Sequence, residues 1–201
     1  MCAIIASFNI HTFNELYQLN SYRGNLTHSI ARFTNDHLGN IKHTSLVRAQ
    51  GEMPPLKEDE GLYYVGHSQA PTTQHSFIHP AVYGRAMLWH NGIIKQKELK
   101  ENAWDTEWML HKIYDYGFRT LSDMDGTFAC MMYNGSELFV FRNEISPLFY
   151  NDDLDFSSTK FKGSISLPPN SVFKLGIKDK KIIKITEFTT KENPYYFAEV
   201  E

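Results

Sequence analysis

Residues 127–142 are Thr-Phe-Ala-Cys-Met-Met-Tyr-Asn-Gly-Ser-Glu-Leu-Phe-Val-Phe-Arg, two apolar runs joined by the pair Asn134-Gly135. An Asn-Gly pair between apolar segments is the strongest short-range signal for a β-hairpin. We therefore predict strands over 127–133 and 137–142. Two more hairpins are predicted further along the chain, 148–150 with 154–157 and 172–175 with 182–188. The second half of the chain is thus typical of an antiparallel sheet.

The first half mixes strands with helices. Strands are predicted over 2–8, 61–67 and 85–90, the last of them ending at a turn formed by Asn91-Gly92. Helices are predicted over 13–19, 91–102 and, most clearly, 105–116, where Asp105 suits the N-cap and Gly117 the C′ position. The stretch 23–47 has no clear periodicity, and 50–60 is predicted to be a solvated loop. Hairpins with a few separate helices indicate an α+β fold.

Composition excludes several classes of protein. The 201 residues are 42% apolar and 21% charged with a net charge of −3, which is typical of a globular chain. Scattered Lys and Arg residues argue against a nucleic-acid partner, and no apolar run or signal-peptide pattern predicts contact with a membrane. Two cysteines, Cys2 and Cys130, favour reduced thiols and a cytoplasmic location. The nine histidines show no metal-ligand spacing, so we expect neither a metal nor a cofactor.

Cys2 follows the initiator methionine. Removal of Met1 would leave a thiol and a free α-amine on one residue, and an amine with a pKa near 8 can act as a base for its own thiol. His90-Asn91-Gly92 provides a side-chain amide and a glycine N–H, the donors of an oxyanion hole. Taken singly, each pattern is more often structural: a buried cysteine in a strand, and a plain turn.

The ordered set of motifs resembles a known family. Its members are matched by Met1-Cys2-Ala3-Ile4, Arg23-Gly24, Gly66-His67, Pro71-Thr72, His79-Pro80, His90-Asn91-Gly92-Ile93-Ile94, Asp105-Thr106-Glu107, Asp125-Gly126-Thr127-Phe128-Ala129, Pro147-Leu148-Phe149-Tyr150, Phe156-Ser157-Ser158 and Leu167-Pro168-Pro169. In this order they resemble the class II glutamine amidotransferase domain, the N-terminal-nucleophile glutaminase domain of glucosamine-6-phosphate synthase, glutamine phosphoribosylpyrophosphate amidotransferase and asparagine synthetase.

The resemblance implies a fold and a set of roles. The fold would be the four-layer αββα sandwich of N-terminal-nucleophile hydrolases, with two antiparallel sheets. Cys2 would be the nucleophile, and Asn91 and Gly92 would hold the oxyanion. Asp105 would bind the α-ammonium group of glutamine, with Arg23 supporting Cys2. Thr72 and the residue at position 69 would complete the substrate site.

Two positions depart from the family pattern. Ala3 replaces a glycine, and Gln69 stands where the family has an arginine that binds the α-carboxylate of glutamine. Arg85 is an alternative source of that positive charge. A charge-assisted hydrogen bond is about twice as strong as a neutral one, so Gln69 would bind the α-carboxylate more weakly than an arginine. The resemblance therefore implies an altered carboxylate site beside a retained nucleophile and oxyanion hole.

Three functions follow as hypotheses. The first is a glutaminase that hydrolyses glutamine and passes ammonia to an acceptor on a separate synthetase or transferase subunit. The second is an N-terminal-nucleophile amidohydrolase for a different amide. The third is an inactive binding or regulatory module. We expect a single domain over 1–201, with a core of about 2–188, a tail at 189–201 and no synthetase or acceptor domain.

Overall fold

The structure, a computed structural model, describes residues 2–58, 61–70, 77–96, 98–99 and 103–190. Within these ranges the chain forms two antiparallel sheets and a few helices. The predicted site residue Thr72 lies outside the described residues, as do Met1 and most of the predicted tail.

The strands of the first sheet come mainly from the first half of the chain. They are β1 (Ala3–Ser7), β2 (Thr27–Asn35), β3 (Ile41–Gln50), β4 (Tyr63–Gln69), β9 (Phe149–Tyr150), β10 (Phe156–Ser157) and β11 (Ile165–Ser166). Their order in the sheet is β11-β9-β10-β1-β4-β2-β3. This order puts β1 in the interior of the sheet, between β10 and β4.

The second sheet contains the remaining strands. They are β5 (Ala81–Tyr83), β6 (Ala86–Ile94), β7 (Gly126–Tyr133), β8 (Leu138–Arg142), β12 (Ser171–Gly176) and β13 (Lys181–Glu187), in the order β13-β12-β8-β7-β6-β5. Two α-helices are described, α1 (Ile10–Leu19) and α2 (Asp105–Tyr116), together with short 3₁₀ helices at Ser21–Arg23 and Phe118–Asp123.

Three apolar clusters define four layers. One cluster, which includes Ile4 and Trp89, fills the space between the two sheets. A second joins α1 to the outer face of the first sheet through Ile5 and Phe13, and a third joins α2 to the second sheet. The predicted αββα sandwich is therefore confirmed. Because Ile4 and Ile5 are buried on opposite faces of β1, this strand appears in the sequence as one continuous apolar run.

Most predicted elements are confirmed. The three predicted hairpins pair as β7–β8, β9–β10 and β12–β13. Helix α2 has the predicted bounds and is followed by Gly117, which has a positive φ of 73°. Asp105 is the first residue of this helix rather than its N-cap, the N-cap position being Trp104.

The prediction for 85–102 is wrong in two respects. Strand β6 does not end in a turn at Asn91-Gly92 but continues to Ile94, since Asn91 pairs with Ala129 and Gly92 with Phe128 of β7. The helix predicted over 91–102 is absent from the described part of that stretch. Tertiary pairing overrides the local turn preference here.

The unassigned stretch 23–47 contains most of a long hairpin, β2 with β3. Cys2 and Cys130 are both buried and free, so they form no disulfide. Among the described helices, none combines the length and the apolar character needed to cross a bilayer.

Gly66 in β4 tests how tightly α1 packs on the first sheet. A Cβ atom at Gly66 would lie 2.6 Å from Cζ of Phe13 and 2.8 Å from Cγ1 of Ile5. Such overpacking costs about 1–3 kcal/mol, so we predict that Gly66→Ala lowers the free energy of unfolding by that amount in urea denaturation.

Ser68→Ala is the matched control, because Ser68 lies two residues along on the same face of β4. The Oγ atom of Ser68 is buried and has no hydrogen-bond partner among the described residues. Its removal should leave stability unchanged or increase it. Equal stability of Gly66→Ala and the wild type would contradict this account of the packing.

Candidate functional site

Four of the predicted site residues line one cavity of about 70 Å³: Cys2, Gln69, Gly92 and Asp105. They come from the residue before β1, the end of β4, the end of β6 and the first residue of α2. The site therefore lies where strand ends of both sheets meet the N-terminus of α2. The sequence predicted this grouping through the family resemblance alone, since no local pattern links these positions.

Arg23 is held beside the nucleophile position. It is buried, and its Nε donates a hydrogen bond of 2.9 Å to the carbonyl oxygen of Cys2. The neighbouring Gly24 has φ +153°, and a Cβ there would lie 2.4 Å from the backbone nitrogen of Ala70. Only glycine permits this approach, which explains why an Arg-Gly pair stands at this point of the chain.

Cys2 is buried, with 7% of the residue exposed. Burial raises its pKa, and the Asp105 carboxylate acts in the same direction, while a backbone hydrogen bond from Ala70 and the Arg23 guanidinium act against them. Because the net direction is upward, the thiol is protonated at neutral pH. A nucleophilic role therefore requires a base.

Gly92 marks the closest backbone approach in the site. Its φ is +154°, and a Cβ would lie 1.9 Å from the carbonyl oxygen of Thr127 and 2.8 Å from Nε2 of His90. No other residue fits, because both the backbone conformation and the space exclude a side chain. The absence of a side chain also leaves room for Nε2 of His90 to lie 3.2 Å from that same carbonyl oxygen.

Asn91 does not line the cavity itself. Its side chain points between the sheets, and Nδ2 donates to Oγ of Ser158 over 3.3 Å. Ser158 in turn accepts from the backbone nitrogen of Ile4 over 2.9 Å. Ser158, to which sequence reasoning assigned no role, thus links Asn91 of the second sheet to β1 of the first.

Asp105 is held by backbone groups. Its Oδ1 accepts from the backbone nitrogen of Thr106 over 2.7 Å, and its Oδ2 from that of Ile94 over 3.0 Å. A quarter of the side chain is exposed. Each carboxylate oxygen has a second lone pair for a ligand, so Asp105 can pair with a cation in the cavity.

Gln69 is buried at the end of β4, and its Oε1 accepts from Oγ1 of Thr27 over 2.9 Å. With Oε1 placed against Thr27, the side-chain NH₂ is the group left for the cavity. Arg85 cannot supply a charge to this cavity, because it lies seven residues before Gly92 at the other end of β6, about 23 Å away. Arg85 lines a separate, larger cavity instead. The alternative in which Arg85 binds the α-carboxylate of glutamine is therefore wrong.

Three buried histidines form a cluster at the cavity, which His79 and His90 line and behind which His67 packs on His79. The rings of His67 and His79 stack with centroids 3.9 Å apart, and Nε2 of His67 lies 3.2 Å from the carbonyl oxygen of His90. Burial lowers the pKa of His67 to about 3 and that of His79 well below its usual value. Both rings are therefore neutral near pH 7.

The hydroxyl of Thr106 bridges two of these rings. It lies 3.2 Å from Nε2 of His79 and 3.1 Å from Nδ1 of His90. A carbonyl can only accept, so Nε2 of His90 carries the proton that faces Thr127. In a neutral ring Nδ1 then accepts from Thr106, and the Thr106 oxygen accepts from His79. The contact of the same hydroxyl with Asp105, at 3.3 Å, is longer.

The histidine cluster, as far as the structure describes it, is not arranged as a set of metal ligands. Among the described residues, no group of three His, Cys, Asp or Glu side chains could hold a metal ion. Sequence reasoning missed the bridge through Thr106, although the residue stands inside the Asp105-Thr106-Glu107 motif. A hydroxyl in the first turn of a helix gave no signal that it faces two histidines.

We predict that the Thr106 bridge stabilises the site. Thr106→Val keeps the shape but leaves Nε2 of His79 and Nδ1 of His90 unpaired, which should lower the free energy of unfolding by about 1–3 kcal/mol. Thr106→Ser keeps the hydroxyl and should cost less. Urea unfolding of both variants is the measurement, and equal losses for the two would show that the hydroxyl contributes nothing.

We also predict acid sensitivity from the buried histidines. In the unfolded chain a histidine titrates near pH 6.5, whereas His67 in the folded protein titrates near pH 3. Between these values the unfolded state binds more protons, so stability falls as pH falls, by about 1.4 kcal/mol per pH unit for each such histidine. Urea midpoints measured from pH 7 to 4.5 would show the slope. His67→Phe keeps a ring against His79 and removes one of these histidines, so the slope of stability against pH should fall by about 1.4 kcal/mol per pH unit. An unchanged slope would contradict the low pKa of His67.

Comparison with known proteins locates the similarity in the fold. No protein-family model matches the chain, and no curated protein matches its sequence. Among solved structures, glutamine phosphoribosylpyrophosphate amidotransferase from B. subtilis, complexed with ADP and GMP, aligns over 95% of this chain and 50% of its own, with a TM-score of 0.63 and 16% identity.

Two further structures align over most of the chain. One, described as the allosteric regulatory enzyme of purine biosynthesis, covers 95% of this chain and 50% of its own, with a TM-score of 0.64 and 17% identity. The other, a glutamine aminotransferase class-II domain protein from Silicibacter pomeroyi, covers 94% and 99% with a TM-score of 0.47 and 13% identity. The chain spans about half the length of the first two proteins. The predicted resemblance is confirmed at the level of the fold, which is that of a class II glutamine amidotransferase-like domain.

Proposed function

We propose that this protein is a class II glutaminase-type amidohydrolase that uses Cys2 as its nucleophile and releases ammonia from a side-chain carboxamide. The observation that supports this most strongly is that Cys2, Gly92 and Asp105 line one cavity. A nucleophile, a backbone donor at a half-buried glycine and a fixed carboxylate are the groups needed to attack, stabilise and orient an amide with a nearby ammonium group.

The base in this proposal is the α-amine of Cys2 after removal of Met1. Burial raises the pKa of the thiol, so the proton must be taken up by a group of comparable basicity. His67 and His79 are too weakly basic, because their pKa values lie far below neutrality. The amine, with a reference pKa near 8, is better matched and is carried by the same residue.

The reaction proceeds in two balanced steps. The Cys2 sulfur attacks the carboxamide carbon while the α-amine takes the thiol proton. The C–N bond of the carboxamide then breaks, and its NH₂ group leaves with that proton as ammonia, which gives a thioester on Cys2. Water then attacks the thioester, its C–S bond breaks, and the carboxylic acid and the free thiol are formed. The sum is amide plus water to acid plus ammonia.

We assign the oxyanion of each tetrahedral intermediate to the N–H of Gly92, which lines the cavity, and to Nδ2 of Asn91, which lies between the sheets next to Gly92 and would turn toward the bound amide. The bond from Asn91 to Ser158 uses one of the two amide hydrogens, so the second remains for the substrate. Asp105 pairs with the α-ammonium group. The ammonia would pass to an acceptor on a separate synthetase or transferase subunit, in the cytoplasm, where the thiol stays reduced.

Ammonia and glutamate release by the purified, untagged protein tests the proposal. The wild type should produce both in equal amounts, Cys2→Ala should produce neither, and the intact mass should correspond to a chain that begins at Cys2. An N-terminally extended protein with full turnover would exclude the amine as base. A wild type that releases no ammonia from any amide would favour an inactive binding or regulatory module.

We predict that Asn91→Ala lowers kcat by about 10²–10³, the usual effect of removing one oxyanion donor. Because the side chain of Asn91 has Ser158 as its hydrogen-bond partner, stability should fall by only about 0.5–1.5 kcal/mol. Asn40→Ala, at an exposed asparagine in the β2–β3 hairpin, is the matched control and should retain full turnover. An unchanged rate in Asn91→Ala would mean that another group holds the oxyanion.

A further inference from the structure

The charges around the cavity point to a particular class of amide, an inference that rests on the proposed function. Asp105 is the one carboxylate among the described residues that line the cavity, and no Lys or Arg is among them. Two histidines also line it: His79 is neutral near pH 7 because burial holds its pKa well below the usual range, and the ring nitrogens of His90 are taken up by the Thr106 hydroxyl and the Thr127 carbonyl oxygen. Arg23 is engaged with the carbonyl oxygen of Cys2 and does not line the cavity.

A free amino-acid substrate would fit this cavity poorly. Free glutamine carries a carboxylate beside its ammonium group, and the carboxylate would lose its hydration in a site that already holds the negative charge of Asp105. A buried charge without a partner of opposite sign is strongly disfavoured. The ammonium group, in contrast, has Asp105 as a partner.

Gln69 identifies the group that would fit in place of the carboxylate. Its Oε1 already accepts a hydrogen bond from Thr27, so the side chain presents its NH₂ group to the cavity. A neutral donor of this kind pairs well with the carbonyl oxygen of an amide. An amide at this position also brings no charge that needs compensation.

The opening of the cavity has an apolar surface for whatever follows that amide. The rings of Phe77 and Trp104 both line the cavity and stack with centroids 5.0 Å apart and an interplanar angle of 10°. Phe77 is 37% exposed, so this pair lies at the rim. A chain that leaves the cavity can lie against these rings.

We propose that the substrate is a glutaminyl residue at the N-terminus of a peptide, with a free α-ammonium group and its α-carboxyl group in a peptide bond. Asp105 binds the ammonium group, Gln69 donates to the first peptide carbonyl, and the rim of Phe77 and Trp104 contacts the next residue. The reaction converts the N-terminal glutaminyl residue and water into a glutamyl residue and ammonia.

The experiment compares three probes: glutamine, L-glutaminyl-glycine and N-acetyl-L-glutaminyl-glycine. Ammonia release and the mass of the product are measured for each. L-Glutaminyl-glycine should have the highest kcat/KM, exceeding that of glutamine by about tenfold, which corresponds to about 1.4 kcal/mol. The acetylated peptide should be poor, because it lacks the ammonium group that pairs with Asp105.

Two variants at one position connect the preference to Gln69. Gln69→Arg should lower the KM for glutamine several-fold and weaken the preference for the peptide, since a new charge-assisted bond forms with the carboxylate. The carboxylate does not change during the reaction, so kcat should change little. Gln69→Leu is the matched control: it should weaken peptide turnover without improving turnover of glutamine. Thermal unfolding of all three proteins checks that the fold is intact.

The failure of this inference differs from the failure of the proposed function. If the wild type prefers glutamine and Gln69→Arg does not improve it, the inference is wrong while the glutaminase proposal stands. If the wild type releases no ammonia from any probe, the proposed function is wrong, and calorimetric binding to the Cys2→Ala protein decides the inference. Tighter binding of the peptide than of glutamine would support it, and equal or reversed affinity would overturn it.

Discussion

The close approach of Gly92 to the carbonyl oxygen of Thr127 is the constraint on which the site depends. With 1.9 Å between that oxygen and a would-be Cβ atom, position 92 admits glycine alone. The same gap lets His90 reach the Thr127 carbonyl, and His90 then meets the hydroxyl of Thr106 in the first turn of α2. The end of β6 and the beginning of α2 are thereby fixed together, and Asp105 is held at the cavity as a result.

The first sheet contributes the opposite wall through a separate set of bonds. Arg23 binds the carbonyl of Cys2, and Ser158 binds the backbone nitrogen of Ile4 together with the amide of Asn91. The nucleophile position is thus fixed on both sides by side chains from distant parts of the chain. Because Ser158 contacts both sheets, the distance between Cys2 and Asn91, the residue proposed to help hold the oxyanion, is set by a side-chain bond as well as by the strands.

Sequence reasoning was most reliable where a local signal and the tertiary structure agree. The Asn134-Gly135 hairpin and the helix over 105–116 formed as predicted, because turn chemistry and apolar spacing are local properties. It failed at Asn91-Gly92, where the same pair of residues lies inside a strand. There the pairing with β7 and the missing Cβ of Gly92 decide the conformation, and neither can be seen in a local window.

The side chains of the site divide into those that would perform the chemistry and those that would select the substrate, and the two groups are held differently. Gly92 is fixed by a backbone approach that admits no side chain, and Cys2 is held through its carbonyl oxygen by Arg23. Gln69, in contrast, ends its strand, and its side-chain oxygen is held by Thr27 on the neighbouring strand. A substitution at position 69 can therefore alter the charge of the cavity without disturbing the sheets. This separation explains how a chain can keep the amidotransferase-like fold and its nucleophile position while the recognition of one substrate group changes. Under the proposed function, residue 69 rather than the fold would determine which amide is bound.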